Sequence, residues 1–263
     1  MSGFLDVSTL DEDGREALRR LVVTLADSKR LMGIRYSDWL LGAPSIETGI
    51  ATSSMAQDEW GHARLLYSML KELELDPVEV EHDREDAAYA SVDPLDEPFG
   101  DWAEVVAAMV VVDGALTTAL EAFARGRFEP ATTRAPKMLA EEEFHASLAA
   151  AWFRRLAGSS SAEARDRLKG AAEAMLPPVL AWLGSDDAAA RRLVEAGVTD
   201  PGPEQVAAFR DRVRDILATG DVDVDATDAA SAWDEERGRG PGHPGLEATE
   251  RARGDRNRML FVE

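Results

Sequence analysis

Glu59 and His62 stand three residues apart, and so do Glu142 and His145. On a helix this spacing puts a carboxylate and an imidazole on one face, where both can reach a single metal ion. Four histidines would give about 0.4 such pairs by accident, so two pairs carry information. Their neighbours repeat too. Met55, Leu66 and Met69 around the first pair match Met138, Ala149 and Trp152 around the second, every position displaced by 83 residues. Both pairs therefore fall where the apolar period marks a core. Burying two carboxylates and two imidazoles without partners costs several kcal/mol per group, and a bound cation offsets that cost compactly.

Two further helices should each add a carboxylate. Asp113 interrupts "AAMVVVDGALTTAL", the most apolar segment of the chain, and is the candidate there. Glu121, two turns on, is the fallback, with Arg125 and Arg127 close enough to pair with it in solvent. Upstream, Asp38 follows Leu31 and Ile34 by seven and four residues and so points inward, with Asp27 as the weaker candidate. Asp38, Glu59, His62, Asp113, Glu142 and His145 then form a six-ligand, two-metal carboxylate site drawn from four helices. Asp58 and Glu141 each precede a ligand and lie near the histidine of the facing helix, where they could accept its second N–H. Glu143 reads as solvated. The alternative for the whole set is a dry hydrogen-bonded network without metal.

The elements that must position these residues are legible as helices. Leu18, Leu21, Leu25, Leu31, Ile34 and Leu41 recur at helical spacing until "GAP" at 42–44, and a second helix follows over 45–73. The proline- and acid-rich stretch 74–100 reads as a long surface crossover, with His82 solvated. The segment 101–126 is apolar nearly all round, and a fourth helix is expected over 136–156. Further helices are expected at 161–183, kinked or broken at Pro177 and Pro178, at 186–196 and at 203–218. No segment alternates with a period of two. The expectation is an all-α, ferritin-like four-helix bundle with additional C-terminal helices, in a domain spanning 1–219 with its core at about 10–157. An extended tail over 220–263 ends on apolar "MLFV", and two readings stand side by side: it docks on its own bundle or on a neighbour, or it is disordered.

Composition narrows the chemistry. The chain of 263 residues has no cysteine, which excludes thiolate zinc sites, iron–sulfur clusters and disulfides and leaves histidine and carboxylate as metal ligands. A formal charge of −21 repels nucleic acid and anionic membranes. No secretory leader is visible and no uninterrupted apolar run approaches the roughly 20 residues needed to span a bilayer, so a cytoplasmic protein is expected. Only Lys29, Lys71, Lys137 and Lys169 are lysines, and the arginine-rich, acidic balance suits a salt-rich interior.

Three stretches carry a family resemblance: "RYSDWLLGAPSIETGIATSSMAQDEWGHARLLYSML", "DWAEVVAAMVVVDGALTTAL" and "EEEFHASLAAAWFRRL". Over about 20–160, and most specifically at "QDEWGH", "VDG" and "EEEFH", the chain resembles the ferritin-like subunits of bacterial phenylacetyl-CoA epoxidase, the phenylacetate-catabolic oxygenase group. The resemblance favours Asp113 over Glu121. It implies two iron ions, or manganese, with dioxygen as co-substrate. It also implies epoxidation of the aromatic ring of phenylacetyl-CoA or a related acyl-CoA, and electrons from a separate reductase. Two departures stand out. The family's first-helix ligand is glutamate where this chain offers Asp38, and the short "GAPSI" link resembles the non-catalytic sister subunit. The leading expectation is a di-iron, oxygen-activating monooxygenase subunit, wrapped by Met55, Met109, Val110 and Leu116 and associated with a homologous subunit or its own copies. The alternative is a structural, non-catalytic partner of such an enzyme. Iron storage is a third reading, disfavoured by the long C-terminal extension.

Overall fold

The computed structural model describes residues 3–255, and among these it contains nine α-helices and no strand. Helix α1 (Glu12–Ser37) starts at Asp11, whose side chain accepts from Gly14 N at 2.8 Å, and α2 (Ile46–Tyr67) starts at Ser45, which accepts from Thr48 N. Both caps satisfy backbone donors that a helix start leaves free. The two helices pack along their length as an antiparallel pair. Their close approach needs Gly33, because a Cβ there would meet Nε1 of Trp60 at 2.5 Å. A 3₁₀ turn (Ser68–Leu73) and the short α3 (Pro77–His82) open the crossover to the second pair, α4 (Trp102–Arg125) and α5 (Glu129–Ala157).

Around this four-helix core, α6 (Ala162–Leu183) and α8 (Gly202–Ala218) pack on α4, while α7 (Ala188–Glu195) and α9 (Leu246–Arg253) pack on α1. Helix α4 is thus covered on several sides, as its apolar sequence demands. It is long and apolar enough to cross a membrane, yet 89% of its most apolar window is buried inside the protein.

Several boundaries differ from expectation for identifiable reasons. Helix α5 begins at Glu129, with Pro130 in the first turn where its missing N–H costs nothing, so Pro136 lies inside the helix. Helix α6 runs unbroken through Pro177 and Pro178. The carbonyl of Pro177 accepts from Ala230 N of the tail at 2.9 Å. The crossover is not a solvated loop: Tyr89, Ser91, Val92, Leu95 and Phe99 are buried. Arg35 donates to the carbonyls of Leu95 and Asp96, and Asp27 accepts from Ala90 N. His82 is only partly exposed, with Nδ1 2.9 Å from the carbonyl of Arg253. The tail docks on its own bundle through buried Arg239, which pairs with Asp93 and Asp96, and through α9. The terminal "MLFV" motif lies outside the described residues.

Candidate metal centre

Five of the six expected ligands converge at the middle of the bundle. Glu59 and His62 come from α2, Asp113 from α4, and Glu142 and His145 from α5, and all five are at most 2% exposed. Glu59, Asp113, Glu142 and His145 offer ligand atoms that all lie within 4.8 Å of one another, and His62 Nδ1 is 3.1 Å from Glu142 Oε1. Met55, Met109, Val110 and Leu116 are buried as expected.

The sixth position does not belong to Asp38. Helix α1 ends at Ser37, so the inward stripe through Leu31 and Ile34 does not extend to Asp38, which caps the helix C-terminus and pairs with Arg251 at 2.6 Å. Glu121 is also elsewhere, paired with Arg212 of α8. Asp27 is fully buried but faces the crossover, bonded by Tyr67 and Arg84. What α1 contributes instead is Lys29. Its Nζ lies 2.7 Å from Asp113 Oδ1, 3.0 Å from Glu59 Oε1 and 2.5 Å from Glu142 Oε1, with the side chain 1% exposed. Seven residues on, Tyr36 donates its hydroxyl to Asp113 Oδ2 at 2.9 Å. Thr117 donates to Glu142 Oε2 at 3.1 Å.

The outer acids sit as the sequence suggests and are exchanged between helices. His62 Nε2 donates to Glu141 of α5 at 2.8 Å, and His145 Nε2 faces Asp58 of α2 at 3.3 Å. The opposite edge of each ring points inward. His145 Nδ1 lies 3.4 Å from Glu59, 3.5 Å from Asp113 and 3.6 Å from Glu142, aligned as a hydrogen bond to none of them.

Electrostatics follow from burial and this crowding. Burial alone pushes the Lys29 ammonium down, but Asp113, Glu142 and Glu59 outweigh it and hold the group well above its usual range. Burial pushes Glu142 up, and Lys29 with the two imidazoles more than reverses this, leaving its carboxyl well below the ordinary range. Asp113 is likewise lowered against burial, chiefly by Lys29 and His145. Both imidazoles are raised despite burial by the carboxylates beside them. Glu59 takes the opposite direction: burial, then repulsion from Asp113 and Glu142, outweighs Lys29 and pushes it up to about 7.

The opposite shifts give a paired expectation for chelator-treated protein at pH 8. A carboxyl whose folded value is raised stabilises the fold below its unfolded value, and that contribution is lost as pH rises toward 7. Ionised Glu59 is thus a net cost at pH 8, so Glu59→Gln holds or raises the melting temperature. Glu142 has the reverse sign, its contribution present above the unfolded value. Glu142→Gln loses charge-assisted bonds worth about 2–3 kcal/mol and lowers the melting temperature by roughly 5–10 °C. Equal losses in both variants, read by thermal melts, would contradict the assignment.

The residues present do not fit a pair of metal ions. The fourth carboxylate that a two-metal set needs is missing, and an ammonium stands within bonding distance of the other three. They do form a buried Glu, Asp and His cluster able to hold one metal ion. A cavity of about 530 Å³ between α4, α5 and α8 reaches Asp113 and Glu142, with Met109, Val213 and Ile216 among its apolar walls and the exposed Arg154 and Arg212 in its lining.

Sequence reasoning passed over Lys29 because a basic residue is not a metal ligand. The signal was its company: Val22, Leu25, Met32 and Tyr36 lie seven, four, three and seven residues away, all on the buried side. Trp102 packs edge-on against Trp152 at 5.3 Å and tilted against Trp39 at 6.0 Å, so these rings serve packing. No curated protein sequence matches the chain significantly. The phenylacetic acid catabolic protein family matches it over residues 1–245, nearly its whole length, and an all-α bundle with paired Glu-x-x-His helices accords with that match, so the chain belongs to the phenylacetic acid catabolic protein family.

Proposed function

We propose that this chain is the non-catalytic, ferritin-like partner in a cytoplasmic phenylacetate oxygenase complex. A homologous subunit there carries the paired irons, activates dioxygen and epoxidises the ring of phenylacetyl-CoA or a related acyl-CoA, with electrons from a separate reductase. One observation carries the reading: the Lys29 ammonium stands among Glu59, Asp113 and Glu142, where a two-metal enzyme needs a carboxylate and a cation. A group held charged there supports the bundle as a fixed counterion, and it takes a coordination position that oxygen chemistry at a metal pair requires. An apolar edge at the α1–α2 turn also supports a partner role. Leu41, Ile46 and Ile50 are 96%, 79% and 62% exposed, a cluster of the kind that subunit contacts cover.

The catalytic reading draws on the five converging ligands, but it needs a fourth carboxylate, supplied by α1, and Asp38 is held by Arg251 at the helix end. Co-expression with a homologous ferritin-like subunit, separation of the two and iron analysis of each distinguishes the readings. The partner role expects paired iron and product formation to follow the homologue, with this chain needed for full activity of the assembly. Turnover of phenylacetyl-CoA by this chain as the sole ferritin-like subunit, with reductase present, would sink it.

A further inference from the structure

We infer that the cavity bordered by the tail at the C-terminal end of α6 is a binding site for an uncharged, fused-ring aromatic molecule carrying one hydroxyl or N–H group. The cavity measures about 280 Å³ and lies between α1, α6, α7, the start of α8 and the tail. Arg20 of α1 holds the tail here, donating to the carbonyl of Glu235 at 2.8 Å. No lining residue is shared with the cavity that reaches Asp113 and Glu142. Size sets the class of occupant: an engineered cavity of about 150 Å³ holds benzene, and this one has room for a second ring. Ala119, Leu183 and Leu193, all buried, supply apolar walls, and Trp182 and Trp233 line its sides. Trp102 packs against both Trp39 and Trp152, whereas the half-buried Trp182 and Trp233 meet no other aromatic ring among the described residues. Flat rings without a stacking partner suit a flat guest.

The polar groups set its charge. Arg20 is bound to Asp187 at 2.7 Å, Arg191 to Asp186 at 3.2 Å and Asp200 to Arg125 at 2.5 Å, so the charges around the mouth cancel in pairs. Glu195 is left over at the exposed rim and turns anions away. A cation gains nothing deeper in, because the buried part of the lining includes no acid. That part does include one hydroxyl, on Thr24, which is 4% exposed. Buried hydroxyls are ordinarily bonded, and Ser28, Thr52, Thr117 and Thr118 each give theirs to the carbonyl four residues back. The Thr24 hydroxyl bonds no protein atom among the described residues, which leaves it for a single O–H or N–H of the guest.

The site is independent of the role of the chain in a complex, which rests on Lys29. Full-length protein titrated by calorimetry with 2-naphthol, naphthalene and naphthalene-2-carboxylate tests it, the three probes sharing a ring system and differing in the substituent. 2-Naphthol, uncharged at neutral pH, is expected to saturate at one per chain, and the carboxylate to bind at least roughly tenfold more weakly. Thr24→Val keeps the shape of the side chain and removes the hydroxyl, so it weakens 2-naphthol by about 5–10-fold and leaves naphthalene unchanged. Trp233→Ala, at a partly exposed position of the tail, weakens both by about tenfold. The absence of saturable binding would overturn the site, as would a carboxylate that binds as tightly as 2-naphthol. So would equal loss of both guests in Thr24→Val, or undiminished binding in Trp233→Ala, which would put the guest in another cavity.

Discussion

In chelator-treated protein, Lys29→Met lowers the melting temperature by about 10–15 °C, the equivalent of roughly 4–5 kcal/mol in a chain of this size. The magnitude comes from what the substitution leaves behind. Methionine fills most of the lysine volume, so little packing is lost, but Glu59, Asp113 and Glu142 remain buried with their shared cation gone. Removing one member of a buried ionic set costs more than the set contributes as a whole, because the survivors keep their desolvation penalty. Protonation of the raised Glu59 softens the effect, which therefore grows as pH rises past 7. Divalent cation added back should recover most of the loss. Lys29→Glu goes further by restoring a fourth carboxylate, and the expected result is two bound ions per chain. A Lys29→Met protein that melts within a degree or two of the parent at pH 8 would show that the ammonium is not the counterion of the cluster.

Asp27→Ala is expected to lower the melting temperature by about 8–12 °C, from a loss of roughly 3–4 kcal/mol. Asp27 is fully buried and accepts from Tyr67, from both terminal nitrogens of Arg84 and from Ala90 N at 2.8 Å. Alanine leaves the Arg84 guanidinium, 13% exposed, without its carboxylate and frees the backbone of the crossover. The damage should be local as well as global. Hydrogen exchange should accelerate through 84–92, next to the freed Ala90 N–H, while α4 keeps its protection. Unchanged exchange there would refute the anchoring role.

These two residues mark the limit of what the sequence could disclose. The Glu-x-x-His pairs were legible because each repeats an entire helical face, and Asp113 because a lone acid in an apolar run must find its partner inside the bundle. Asp58 and Glu141 followed from the same register. Asp38 misled because periodicity says nothing about where a helix stops, and α1 ends one residue before it. Asp27 and Lys29 are two residues apart yet serve opposite sides of α1, one bracing the crossover and the other the cluster. Telling them apart requires knowing which helices flank α1, a long-range fact. The buried crossover was hidden for the same reason: its acids read as solvated until Arg239, some 140 residues later, is seen to meet Asp93 and Asp96.

The reciprocal bonds His62 to Glu141 and His145 to Asp58 work as a pair of opposed latches between α2 and α5. A slide of either helix by one turn, about 5.4 Å, would undo both together. The alignment of these two rods is therefore all-or-none, with no intermediate stop, and a subunit gripping α5 from outside would stiffen α2 without touching it.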